Sequence, residues 1–313
     1  MEEKILLYCR ERGIRLDKFI ALSTGLSRSK VKKDILSGLV LVDGEVEEPD
    51  AKLKGGEIIE YTPSPPEEVE IIPENIPVEV VYYDQDVIVV NKPPGLVVHP
   101  GAGNPRGTLV NALLYHFKDW DINGYVRPGI VHRLDKDTSG VMIVARNEKA
   151  QKVLVEQFKK RMVKKSYIAL VVGQIPEEGV IDEPIGRDPK NRIRFSVNYE
   201  HGKEAVTEWR LLRYFGEVSL IKVFPRTGRT HQIRVHMAHI GHPLVGDEVY
   251  GGVRKVKKIS DERIRRILLS FPRHALHAGS IKFRHPATGE VMEFEVPLPE
   301  DFSSLLKKLE EIT

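Results

Sequence analysis

Apolar positions along this chain form two patterned regions on either side of one proline-rich stretch. In the first region, Leu16-Asp17-Lys18-Phe19-Ile20 reads as a short helix. A second helix is predicted from Ser27, an N-cap residue, with Val31, Ile35 and Leu36 at helical spacing and Gly38 as its stop. Leu39-Val40-Leu41-Val42 and Ile58-Ile59-Glu60-Tyr61 read as strands, with Asp43-Gly44 as a two-residue turn signal. In the second region, Val87–Val90, Met142–Val144, Tyr167–Val172, Val218–Val223 and Met292–Val296 are strand-like. The clearest helix spans about Glu148 to Met162, capped by Asn147. Its apolar stripe of Ala150, Val153, Leu154, Phe158 and Met162 is expected to face the core. Strands and helices do not alternate regularly. That disfavours a doubly wound sheet or a barrel and predicts an α+β domain with a mixed sheet.

Between the two regions, prolines and glutamates crowd Pro63 to Pro77, where they prevent helix and keep the backbone extended. The predicted organisation is a small α/β module over 1–62, a Pro/Glu-rich linker over 63–76 and a larger domain over 77–313. A length of 313 residues accommodates two or three such units, since single domains cluster near roughly 100 to 150 residues.

Composition narrows the function classes. No apolar run approaches the about 18 residues of a membrane span, and Met1-Glu2-Glu3-Lys4 lacks the cationic start of a secretion signal, so a cytoplasmic protein is expected. The lone cysteine, Cys9, cannot make an internal disulfide and reads as a small buried hydrophobe. Lysine and arginine total 48 against 45 acids, a net charge of +3, so the distribution of charge matters more than its sum. Arg28, Lys30, Lys32 and Lys33 fall within one and a half turns of the second helix, while acids collect later at Glu45, Glu47, Glu48 and Asp50.

The densest chemistry lies in Ile130-Val131-His132-Arg133-Leu134-Asp135-Lys136-Asp137-Thr138-Ser139-Gly140. This run sets two carboxylates, cations and a histidine between apolar segments. Charges on such a scaffold must pair, and buried paired charge points to an active site. An aspartyl-nucleophile phosphatase loop fits poorly, because Thr138 directly follows Asp137 and Ser139 sits where that loop has its threonine or valine. His231, His236, His239 and His242 have partly helical spacing but no carboxylate among them, so no metal site is expected.

Arg15-Leu16-Asp17-Lys18-Phe19, the Ser27-Arg28-Ser29-Lys30 helix start and the close Gly38–Gly44 resemble the S-four-type RNA-binding domain of a ribosomal protein. The whole chain resembles the RluA-type family of ribosomal large-subunit pseudouridine synthases. The resemblance rests on Val90-Asn91-Lys92-Pro93-Pro94-Gly95-Leu96-Val97-Val98-His99-Pro100-Gly101, the His132–Gly140 loop, Thr227-Gly228-Arg229-Thr230-His231-Gln232-Ile233-Arg234-Val235-His236 and His242-Pro243-Leu244-Val245-Gly246-Asp247. It implies a cofactor-free isomerisation in which the bond between uracil and ribose breaks, the base rotates, and carbon 5 rejoins the sugar. Asp135 then corresponds to the catalytic aspartate, Tyr167 to the tyrosine that stacks on uracil, and Arg229 to a guanidinium chelating Asp135. Arg133 is the residue expected to fill the gap left by a flipped base, with Leu276 as apolar floor. The basic helix residues Arg28, Lys30, Lys32 and Lys33 would contact RNA phosphates. A monomer bound to large-subunit ribosomal RNA, with no metal and no membrane, is the expected working form. The rival from another class is a non-catalytic RNA-binding or ribosome-assembly factor of the same fold.

Overall fold

The computed structural model of the chain describes residues 4–65, 71–101, 104–120, 129–191 and 194–313. It divides into two units between Val69 and Glu70. In the first, β1 (Ile5–Tyr8), α1 (Leu16–Thr24), α2 (Arg28–Leu36), β2 (Val40–Val42) and β3 (Ile58–Tyr61) follow in order. The Ser27 hydroxyl accepts the Lys30 N–H at 3.3 Å, the cap expected of that residue. The three strands form an antiparallel sheet, β1-β3-β2, on which Leu16, Ile20, Val31 and Ile35 pack together with the fully buried Cys9. Asp43 and Gly44 both have positive φ, 50° and 87°, as a type I′ turn requires. That turn folds Val42 back onto Glu45 and does not itself join β2 to β3.

The second unit contains β4 (Glu79–Tyr83), β5 (Val87–Lys92), α3 (Leu109–His116), β6 (Ser139–Ala145), α4 (Glu148–Lys159), β7 (Lys164–Val172), β8 (Glu178–Asp182), β9 (Ile185–Arg187), β10 (Phe195–Val197), β11 (Val206–Phe215) and β12 (Val218–Pro225). It continues with α5 (Gln232–His239), α6 (Gly252–Val256), α7 (Glu262–Leu269), β13 (Leu276–Arg284), β14 (Val291–Glu295) and α8 (Glu300–Glu310). A nine-stranded sheet runs β4-β5-β6-β13-β7-β12-β11-β8, with β14 added on β13. The β6–β13 pair is parallel and the other pairs are antiparallel, so the fold is α+β with a mixed, largely antiparallel sheet.

Period-two alternation explains the layering. Ile88, Val90, Met142 and Val144 share one core with Ala169, Val171, Ile221 and Val223, while Val87, Val89, Val141 and Ile143 pack in another with Ala150 and Leu154 of α4. Strands β5 and β6 are thus covered on both faces, which is why they read as continuous apolar runs. Two expectations need correction. Helix α4 ends at Lys159, and Arg161 turns the chain with φ 59°, so Met162 lies outside the helix; Met162 (45 %) and Val153 (40 %) are exposed, which narrows the buried stripe to Ala150, Leu154 and Gln157. Residues 71–76, read as linker, are docked on the second unit: Asn111 Nδ2 donates to the Ile72 carbonyl at 2.8 Å, and Ile71 and Ile76 pack on the core. Among the described residues no helix is long and apolar enough to cross a membrane.

The parallel pair brings backbones close where the charged loop enters β6. Gly140 has φ 119°, and a Cβ there would lie 2.2 Å from the Ala278 carbonyl oxygen. Gly140→Ala is therefore expected to cost about 3 kcal/mol of stability, from combined strain and overlap. A urea unfolding midpoint equal to that of the parent protein would refute the assigned packing.

Candidate active site

The His132–Thr138 segment is an irregular loop, yet nearly every residue is anchored. His132 Nε2 accepts the Ile143 N–H at 3.0 Å, and its ring stacks on Phe158 at 4.8 Å. Burial pushes the His132 pKa down to about 3, which leaves the imidazole neutral and able to accept. Thr138 Oγ1 bonds His274 Nε2 at 2.7 Å, and Ser139 Oγ bonds His277 Nδ1 at 3.0 Å. Arg273, held by Asp301, donates to the Asp137 carbonyl at 2.9 Å.

Lys92 is fully buried under this loop. Its Nζ donates to the carbonyls of Pro93 (2.8 Å), Leu96 (2.9 Å) and Lys136 (2.9 Å). Burial pulls its pKa toward about 7, but three carbonyl acceptors require all three N–H donors of an ammonium, and that is the form we assign. The lysine thereby ties the turn after β5 to the residue following Asp135.

Asp135 faces a cavity of about 440 Å³. Its Oδ2 accepts from Arg234 Nη1 at 2.9 Å, and its Oδ1 lies 3.8 Å from His231 Nε2. Burial alone would raise the pKa of this carboxyl; His231 and Arg234 outweigh it and hold the group below the usual carboxylate range. Burial also lowers the pKa of His231, so near neutral pH the imidazole is uncharged and Arg234 supplies the full positive charge. Tyr250 Oη accepts the Phe195 N–H at 3.2 Å and lies 2.8 Å from His231 Nδ1. Donation of the tyrosine O–H to Nδ1 leaves the N–H of His231 on Nε2, directed toward Asp135. His231 has φ 56°, and this left-handed residue swings its ring into the site at the start of α5.

The expected Asp135–Arg229 fork is not what forms. Arg229 lies in the loop before α5, where its Nε donates to the Glu204 carbonyl at 2.9 Å; the partner of Asp135 is Arg234, on the first turn of the helix. Gln232 fixes this arrangement, accepting from Thr227 Oγ1 and the Arg229 N–H while donating to the Val206 carbonyl and Thr207. Arg234 is itself clamped from behind by Asp247, through Nε at 2.6 Å and Nη2 at 3.1 Å. Asp247 also accepts the N–H groups of Val249 and Tyr250.

Arg229, Tyr167, Leu276 and the exposed Arg133 all line the cavity with Asp135. The Tyr167 hydroxyl is raised well above its ordinary pKa by burial and then by the charge of Asp135, so it remains protonated. Lys165 lines the same cavity, and burial lowers it to about 8. His231, His236 and His242 each have hydrogen-bond partners in the fold, His236 through Thr207 and the Glu183 carbonyl, His242 through the Val172 carbonyl.

The basic helix of the first unit is less uniform than its sequence suggested. Arg28 pairs with the buried Asp17 at 3.0 Å, a carboxylate also held by Arg15. Lys30 is half-buried, with its Nζ on Ser64 Oγ at 2.7 Å and 3.6 Å from Asp34. Lys32 and Lys33 are exposed.

Residues 86–239 match the model of the RNA pseudouridylate synthase family, and residues 14–59 match the S4 domain. The chain is 46 % identical over 300 residues to ribosomal large subunit pseudouridine synthase D of Xanthomonas campestris pv. campestris, spanning 96 % of this chain and 90 % of that protein. It is 50 % identical over 306 residues to an uncharacterized RNA pseudouridine synthase of Aquifex aeolicus, spanning 95 % and 94 %. Among solved structures, human RNA pseudouridylate synthase domain containing 1 superposes with a TM-score of 0.54 at 28 % identity, covering 79 % of this chain and 98 % of that one.

The Asp135–Arg234–Asp247 arrangement carries a pH signature. Both carboxyls are held below their usual range, so the stability they contribute is full above roughly pH 4 and is lost as pH falls through their native values. In Arg234→Met, burial of Asp135 is unopposed by that cation and its pKa should rise. The variant should then lose about 3 to 5 kcal/mol relative to the parent at pH 7 and less at pH 4. Urea titrations at the two pH values, with carboxyl 13C NMR of Asp135, measure both effects; a pH-independent difference would contradict the triad.

Proposed function

Because the chain belongs to the RNA pseudouridylate synthase family, we propose that it isomerises specific uridines of large-subunit ribosomal RNA to pseudouridine, with Asp135 acting on the everted nucleoside. The observation that carries the reading is an ionised, oriented carboxylate inside a cavity of nucleoside-binding size, about 440 Å³. The substrate class is supported by the large-subunit relative from Xanthomonas and by the S4 domain match.

Uridine and pseudouridine are isomers, so the reaction needs no oxidant, reductant or group donor. The bond from N1 to the ribose carbon breaks, carbon 5 bonds to that same sugar carbon, carbon 5 loses a proton and N1 gains one. The target must leave the base stack first, and the exposed, cationic Arg133 is suited to occupy the space it vacates. Once inside, uracil would stack on Tyr167 with Leu276 beneath it. Asp135 would attack the nucleoside covalently or assist loss of the carbon 5 proton, kept anionic by Arg234. Tyr167 stays neutral and can pass a proton near the ring. We assign Arg229 to an RNA contact at the cavity wall rather than to alignment of the aspartate.

The first unit would add phosphate contacts through Lys32 and Lys33, while Arg28 and Lys30 also brace its core against Asp17 and Asp34. The same reading makes the working enzyme a cytoplasmic monomer.

Incubation with ribosomal RNA followed by carbodiimide-block primer extension is expected to show new stops. Asp135→Asn should remove them while RNA binding persists, and Arg229→Ala should retain measurable turnover with a raised KM. Absence of stops on every large-subunit RNA fragment would reject the activity. Lys32→Gln with Lys33→Gln should flatten the dependence of log affinity on log salt by about 1.4 for a single strand, at about 0.7 per lost phosphate contact. An unchanged slope would remove the first unit from the phosphate interface.

A further inference from the structure

A second groove opens beside the aspartate cavity and shares Arg161, Val163, Lys165, Pro225 and Arg226 with it. Its volume is about 820 Å³, and it crosses four consecutive strands of the sheet, β7, β12, β11 and β8. Phe224, Glu208 and Val180 are directly opposite one another on adjacent strands and therefore share a face. Val180 is 62 % exposed and Phe224 half-buried, one on each side of Glu208, so the groove presents apolar side chains at two separate points, with Lys164, Arg210 and Arg226 all exposed around it.

Two acids lie in the same groove. Glu178 faces Arg210 at 3.9 Å and Glu208 contacts Arg226. The Arg210–Glu178 pair is open to water, where such a contact contributes little and exchanges readily for a phosphate, while Glu208 is half-buried beneath the exposed Arg226. Arg161 is paired with Glu204 at 2.6 Å; the remaining four cations, Lys164, Lys165, Arg210 and Arg226, face Glu178 and Glu208, so the groove has a positive balance.

At the junction of groove and cavity stands Lys165. Among the described residues it has no ion-pairing carboxylate; its ammonium lies 5.9 Å from the Phe158 ring. A cation held in a partly buried position without an anion is costly, and an arriving anion relieves that cost. The mechanism above leaves Lys165 without a role.

We propose that this groove binds the RNA strand flanking the everted uridine, with Lys165 as counter-ion for the phosphodiester adjoining that nucleotide and with a neighbouring base lying on Phe224. Phosphate contacts would position the strand, and the Phe224 ring would accept a splayed base without demanding its identity. This deepens the proposed function and rests on it for the presence of an everted uridine. Strand binding by the groove can be measured separately.

The test compares Arg210→Gln/Arg226→Gln with Lys307→Gln/Lys308→Gln, a pair on α8 that lines neither cavity. Binding of fluorescein-labelled oligouridylate, followed by anisotropy over a range of salt, should lose a slope of about 1.4 in the groove pair and nothing in the α8 pair. With a ribosomal RNA fragment as substrate, Lys165→Met should raise KM about tenfold with kcat nearly unchanged, and Lys165→Arg should recover most of the loss. Equal slopes in both double variants, or a Lys165→Arg protein as impaired as Lys165→Met, would overturn the assignment. A protein that forms no pseudouridine yet shows the predicted slopes would defeat the activity reading while supporting strand binding in the groove.

Discussion

Two carboxylates face one guanidinium at the centre of this protein. Arg234 donates to Asp247 with two nitrogens and to Asp135 with a third, so the planar fork is fully engaged and its direction is set from behind. Lysine could not span both partners, because an ammonium is a point charge without a plane. Burial alone would raise the pKa of Asp135, and His231 and Arg234 together hold it below the usual carboxylate range. The surrounding construction serves this contact. Asp247 is fixed by the amides of Val249 and Tyr250, and the Asp135 loop is pinned by Lys92, His132, Thr138 and Arg273.

Much of this was legible in the chain because the relevant signals are local. The charge density of Ile130–Gly140 marked the loop, the caps at Ser27 and Asn147 marked two helix starts, and uninterrupted apolar runs marked β5 and β6. The partner of Asp135 was misread for a physical reason. Two arginines five positions apart, Arg229 and Arg234, are equivalent in chemistry, and only the start of α5 decides which enters the core. A weak clue existed in the apolar neighbours Ile233 and Val235, since a charge flanked by core residues needs a buried partner and Asp247 lies shortly downstream. Lys92 gave less warning, because its acceptors are backbone carbonyls and a side-chain pattern does not reveal them. Strand β13 was missed because Ala278, Gly279 and Ser280 at its middle carry little β propensity; of these, Ala278 lies in close backbone contact with Gly140 of β6.

The basic helix of the first unit offers the same lesson in reverse. Clustered cations suggested one uniform face, but Asp17 and Asp34 are buried and claim Arg28 and Lys30. A count of charges along a helix cannot separate cations that neutralise an internal acid from cations left for a ligand. For Arg28 the distinction depends on Asp17 of α1, and for Lys30 on which side chains of its own helix, Asp34 among them, are buried.

The parallel contact between β6 and β13 has a consequence for how the protein comes into being. Thr138 and Ser139 reach their histidine partners across sequence separations of 136 and 138. Closing so wide a loop is entropically slow, and during synthesis the early partner waits for the late one. The nascent chain can already carry a folded first unit and a paired β5–β6 ladder while its reactive segment is still unsupported. Reactivity is in this sense deferred until β13 and these histidines have left the ribosome.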